Sequence, residues 1–194
     1  MNIADFMKSV NVTDVLIILG LFASFVLGYI QGTIRRIVGI LSMAFSFFLA
    51  ALLSVPLGDF LGQNWTQFPP EYARMIGFLT VFVAAVVAFS LVIQGTYKKA
   101  ELFAKYPVID EVLGGVLGVI QGFLLLMFVT IILDQAFLKP NVADSDELPF
   151  LRGIWDAINQ SGFGNLLHTT VIPNFVTIFG LLIPDYIKST YGVD

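Results

Sequence analysis

The sequence contains no cysteine and a single histidine, and only 12% of its 194 residues are charged. Without cysteine there are no disulfides, no thiolate nucleophiles and no Cys-ligated metals, although a thiol-free chain suits oxidising and reducing compartments equally. Charge is scarce in both signs. The net charge is −4 and no Lys/Arg run exceeds two residues, so there is no footprint for neutralising a phosphate backbone, and nucleic-acid binding is excluded. Among motifs, G-x-S-x-G, H-E-x-x-H, the Walker loop and the dinucleotide fingerprint are all missing. The expectation is therefore a protein that is not an enzyme, with no catalytic residues, no metal and no cofactor.

What is present is apolar: 57% of the residues are hydrophobic, 19 are Phe, and the mean hydropathy is +0.88. Four uncharged intervals, 15–34, 37–58, 75–97 and 112–133, are 20, 22, 23 and 22 residues long. About 20 helical residues cross the roughly 30 Å hydrocarbon layer, and none of the intervals alternates as a barrel strand does. The fold class expected is an all-α integral membrane protein, a four-transmembrane-helix bundle. Residues 1–135 form the membrane domain and 136–194 a tail. The first interval follows Asp5, Lys8 and Asp14 rather than a basic segment, so it reads as an anchor and not a cleaved signal. Ahead of it, Ile3, Phe6, Met7 and Val10 have the spacing of an interfacial helix face.

Arg35 and Arg36 follow the first interval, and Lys98, Lys99 and Lys105 follow the third. The positive-inside rule places these five on the cytoplasmic side, facing the lipid headgroups, which puts both termini in the periplasm of a bacterial inner membrane. Residues 97–106, with Leu102, Phe103 and Tyr106 among the lysines, suit a short amphipathic helix on anionic lipid headgroups. In the tail, residues 139–149 read as an acidic linker, and Phe150, Leu151, Ile154, Trp155 and Ile158 recur at helical spacing. Residues 171–184 are apolar but only 14 long, with Pro173 and Asn174. They read as interfacial, re-entrant or packed over the bundle, with a fifth crossing as the lesser alternative.

Small residues recur at every fourth position. Gly20, Ser24, Gly28 and Gly32 form one stripe, and Gly114, Gly118 and Gly122 form another. Spacing of four places them on one helix face, where close backbone approach drives association in lipid, so glycine-zipper packing is expected. The same faces suit contacts within the chain or with a second copy in a homo-oligomer. The two stripes share a hexapeptide frame, residues 27–32 and 117–122, identical at five of six positions and 90 residues apart. This frame suits an antiparallel pair with Gln31 and Gln121 close together, or two unrelated headgroup-facing glutamines.

Asp14 opening the first span, Gly28 and Gly32 closing it, the basic pair Arg35–Arg36, and Asp110 ahead of Gly114, Gly115, Gly118 and Gly122 together resemble the colicin V production protein family, CvpA. The resemblance covers roughly residues 12 to 135. Where the family often carries Arg inside its G-x-x-x-G elements, this chain has Gln31 and Gln121. The resemblance implies a bacterial inner-membrane protein associated with colicin V production and envelope integrity. It also gives Asp14 and Asp110 a claim to a site role. No charged residue falls in the middle of a span, and Asp14, Asp110, Glu111 and Asp134 stand at span ends where hydration is cheap. His168 reads as a surface or interfacial residue. Two classes of function stay open: a scaffold or accessory that assembles with other membrane or envelope proteins, and an oligomeric channel or transporter component.

Overall fold

The computed structural model describes residues 11–65, 69–96, 107–139 and 148–193. The expected N-terminal interfacial helix, the 97–106 segment with Lys98, Lys99 and Lys105, and most of the acidic linker lie outside the described residues. Four long helices carry the apolar intervals: α1 (Val12–Gln31), α2 (Thr33–Asn64), α3 (Pro70–Thr96) and α4 (Pro107–Phe137). Each is long and apolar enough to cross a membrane. The described tail adds α5 (Pro149–Asn159), α6 (Gly162–Leu166), a π-helical turn (Leu167–Val171), α7 (Ile172–Ile178) and α8 (Asp185–Thr190).

α2 and α4 outrun their uncharged intervals at both ends. α2 continues through Asp59 to Asn64 and begins at Thr33, so Arg35 and Arg36 lie in its first turns and not in a connecting loop. Charges mark where the hydrocarbon ends, but backbone hydrogen bonding continues beyond it; 32 residues rise about 48 Å, well past the roughly 30 Å core. One residue separates α1 from α2. Gly32 takes φ 79°, a conformation that side chains rarely adopt, and a Cβ there would also stand 2.6 Å from Asp110 Oδ2. Pro70, Pro107 and Pro149 open α3, α4 and α5, where the missing N–H costs nothing. Pro56 sits inside α2 and removes one donor from its ladder.

α4 is the central helix, with α1, α2 and α3 all packed on it, while α2 and α3 pair along their length. Among the described residues the core gathers in the half of the bundle nearest the tail. Phe47 of α2, Phe78 and Phe82 of α3 and Phe128 of α4 are buried there, with Phe47 and Phe128 stacked at 4.2 Å and 13°. Phe175 of α7 joins them, at 6.0 Å from Phe47 and 5.7 Å from Phe128. Burying aliphatic surface gains little in lipid, whereas each ring pair adds about 0.5–1.5 kcal/mol from its geometry. The tail therefore completes the core: Leu167, Ile172, Val176 and Ile187 are fully buried in it. Ile178, Leu181 and Leu182 stay exposed on its outer side.

α1 is different. Gly28 is its one buried residue, and this span is attached along its small-residue face, with Phe25 and Ser24 reaching Gly115 and Gly122 of α4. A Cβ on Gly28 would lie 2.9 Å from the carbonyl carbon of Gly114 and 3.0 Å from Cα of Gly118. The reverse holds for Gly118, whose Cβ would meet the Ser24 carbonyl carbon at 3.0 Å. Gly20, at the other end of the stripe, has nothing within 4 Å of such a Cβ and borders an apolar groove of about 340 Å³ between α1 and α4.

Candidate functional site

Two polar centres lie along α4, one around Gln121 near its middle and one at Asp134 near its C-terminal end. Asp134 lies three residues before the helix ends, and its side chain is 0% exposed. Its carboxylate accepts from Trp155 Nε1 at 2.7 Å and from the Tyr191 hydroxyl at 2.5 Å, and His168 Nε2 stands 3.0 Å from Oδ2. The expectation of a cheaply hydrated Asp134 is therefore corrected. The tail excludes water from it and supplies protein donors instead.

His168 is likewise not a surface residue: its side chain is 20% exposed and sits on the π-helical turn. Its Nδ1 lies 2.9 Å from the Gly164 carbonyl oxygen, and its Nε2 faces Asp134. Both neighbours are acceptors, so the ring satisfies both only as an imidazolium donating from each nitrogen. The hydrogen bond to Asp134 raises the His168 pKa above its usual value, against the lowering effect of burial. Burial and the Asp134 charge push the Tyr191 phenol well above its ordinary value and keep it a donor.

Asp14 fastens the same tail to the start of α1. Its two oxygens accept from the backbone N–H groups of Gly162 at 3.0 Å and Phe163 at 3.1 Å, and Asn11 Nδ2 donates to the Gln160 carbonyl at 2.7 Å. A third tie reaches α2, where the Tyr186 hydroxyl donates to the Ala51 carbonyl at 2.9 Å and lies 2.6 Å from Ser54 Oγ. Burial pushes the Tyr186 phenol up to about 12. Beside it a cavity of about 260 Å³ is lined by Ser54, Glu71, Arg74, Gln135 and Lys139 among others.

At the other centre, Arg36 is 9% exposed and its Nη1 donates to Gln121 Oε1 at 2.7 Å. The expectation that Arg36 faces lipid headgroups is corrected: it turns inward, where Gln121 gives a neutral acceptor that hydrocarbon cannot. Gln31, Arg35, Arg36 and Gln121 line one cavity of about 240 Å³. Gln31 and Gln121 thus border the same space, and the hydrogen bond of Gln121 goes to Arg36. Asp110 is 2% exposed, not hydrated at a span end. Its backbone carbonyl accepts from Thr33 Oγ1 at 2.8 Å, joining the starts of α2 and α4. Gly114 meets Gly28 and the Gly32 that follows α1, and Gly122 meets Ser24 of α1.

Sequence reasoning singled out Asp14, Gly28, Gly118 and Gln121 but not the Asp134 cluster as a unit. Trp155, His168 and Tyr191 lie 21, 34 and 57 residues from Asp134, and no motif links them. Among the described residues no group of three His, Cys, Asp or Glu side chains is placed to hold a metal ion.

These features define a multi-pass α-helical membrane protein, four membrane-capable helices with a helical tail folded into their core. The family model described as colicin V production protein matches residues 13–168, and the chain belongs to that family. No curated protein and no solved structure matches it.

Proposed function

We propose that the chain is an inner-membrane scaffold or accessory protein of colicin V production and export, and of envelope integrity, working without catalysis. Both termini and the tail lie in the periplasm, and the Arg35–Arg36 end faces the cytoplasm. Its partners are the lipid bilayer and other membrane or envelope proteins. The observation that carries the scaffold reading is the ring cluster: Phe47, Phe78, Phe82 and Phe128 are buried together in the described core, apolar rings where a pore through one copy would need water. Glycine-zipper packing of α1 on α4 and the tail ties at Asp14 and Asp134 support a rigid platform with its docking elements on the periplasmic side.

A second reading, a transporter component, is favoured by one feature. Ser42 borders the cavity at the arginine end and Ser54 the cavity at the tail end, both on α2, with the rings between them. Flux through proteoliposomes of the purified protein decides between them. Protein that is folded and inserted yet passes neither ions nor small solutes supports the scaffold. Flux that Gly28→Leu and Gly118→Leu abolish overturns it.

A further inference from the structure

We propose that the cavity between Gln31, Arg35, Arg36 and Gln121 is a binding site for a phosphate group, presented by a lipid headgroup or as the free anion. Three observations carry this. First, two guanidinium groups border a cavity of about 240 Å³, and no carboxylate is among its described lining residues. A cation drawn into a membrane-spanning bundle is costly unless it is paired, and Gln121 offers it a dipole but no charge.

Second, Arg36 is more than nine-tenths buried and only part of its fork is used. Nη1 reaches Gln121, while Nε, buried beyond the reach of solvent, has no hydrogen-bond partner. A buried donor on a charged group without an acceptor is rare, because leaving it unmade forfeits the stronger, charge-assisted class of bond. An anion with several oxygens, seated against the guanidinium edge, supplies that acceptor. Phosphate, whose tetrahedral oxygens diverge, meets two guanidinium groups at once, where a planar carboxylate matches one fork.

Third, the lining is divided. Arg35 and Arg36 lie in the first turns of α2, whose N-terminal dipole also favours a negative charge, and Gln31 and Gln121 join them from α1 and α4. Leu27, Met43, Val86 and Ile93 supply the apolar part of the lining, with Ser42 and Ser90 beside them. A headgroup phosphate at the membrane boundary with its chain lying along the bundle has this same polarity.

Native mass spectrometry of the purified chain tests the site, using phosphatidylglycerol and the phosphate-free diacylglycerol as probes and inorganic phosphate as competitor. The expected result is retention of one phosphatidylglycerol about tenfold above diacylglycerol, reduced about tenfold by Arg36→Gln. Val86→Phe, which fills the cavity from α3 and leaves both arginines in place, has the same effect. It carries the test if the arginine variant fails to fold. Displacement by millimolar inorganic phosphate assigns the site to the free anion, and resistance to it assigns the site to the headgroup; both support a phosphate site. Equal retention of the two lipids, or phosphatidylglycerol retention untouched by Val86→Phe, overturns it.

Discussion

His168 and Asp134 are separated by 34 residues in the chain and by 3.0 Å in the fold, the imidazole nitrogen Nε2 resting on Oδ2 of a fully buried carboxylate. Trp155 and Tyr191 aim at the same group. The end of a membrane helix and three points of the tail are thus held by one side chain.

Removing that carboxylate is expected to release the tail. Asp134→Ala leaves the Trp155 indole, the Tyr191 hydroxyl and a charged His168 without their acceptor, and breaking a buried pair of this kind costs about 3–5 kcal/mol. Limited trypsin digestion reads it directly. Cleavage after Arg152 and Lys188 should accelerate in the variant, and an unchanged rate would show that the apolar tail contacts suffice alone.

The hold of the tail should also depend on pH. Because the folded-state pKa of His168 is raised above that of the unfolded chain, its contribution is complete below the unfolded value, about 6.5, and is lost as pH rises through the folded value. Tail protection from protease is expected to be greater near pH 6 than near pH 9, and His168→Gln should flatten that difference. A wild-type profile as flat as that of the variant would contradict the imidazolium assignment.

Along the α1 stripe the same substitution should have opposite outcomes. A methyl group on Gly28 meets the backbone of Gly114 and Gly118, which cannot rotate away, so Gly28→Ala is expected to cost about 1–3 kcal/mol by overpacking. Gly20→Ala meets nothing and should leave the thermal midpoint unchanged. The contact can be trapped in this cysteine-free chain: the Gly122 Cβ position lies 3.1 Å from Cβ of Ser24, so a separation of a few tenths of an ångström brings Ser24→Cys with Gly122→Cys into disulfide range, and the pair should crosslink within one chain under mild oxidant.

Truncating the central ring should be the costliest apolar change. Phe47 packs against Phe48, Phe78, Phe128 and Phe175, and Phe47→Ala is expected to lose about 3–5 kcal/mol in detergent unfolding. Phe45, 56% exposed, faces outward and makes a useful control, with little effect expected for Phe45→Ala.

Much of this molecule is local and therefore readable along the chain. A run of about 20 uncharged apolar residues partitions into hydrocarbon by a sum over its own residues, and a helix is the one way it can satisfy its amides there. That is why all four spans, the helical period of Phe150 to Ile158 and the glycine faces of α1 and α4 follow from spacing alone. The resemblance to the family is legible in the same local pattern of Asp14, Gly28, Gly32, Arg35, Arg36, Asp110 and the second glycine stripe.

Partner choice is not local, and there the sequence underdetermined the outcome. Asp134 reads as a hydrated charge at a span end until the tail folds over it, and Arg36 reads as a headgroup contact until α4 brings Gln121 within 2.7 Å. Whether a polar side chain meets water, lipid or another side chain depends on which distant segment reaches it first, and loops and helix crossings set that distance. Composition and periodicity settled that this chain is four membrane-capable helices with a tail of short helical pieces. The packing of α4 against every other span settled which of its few charges would be buried and what would hold them.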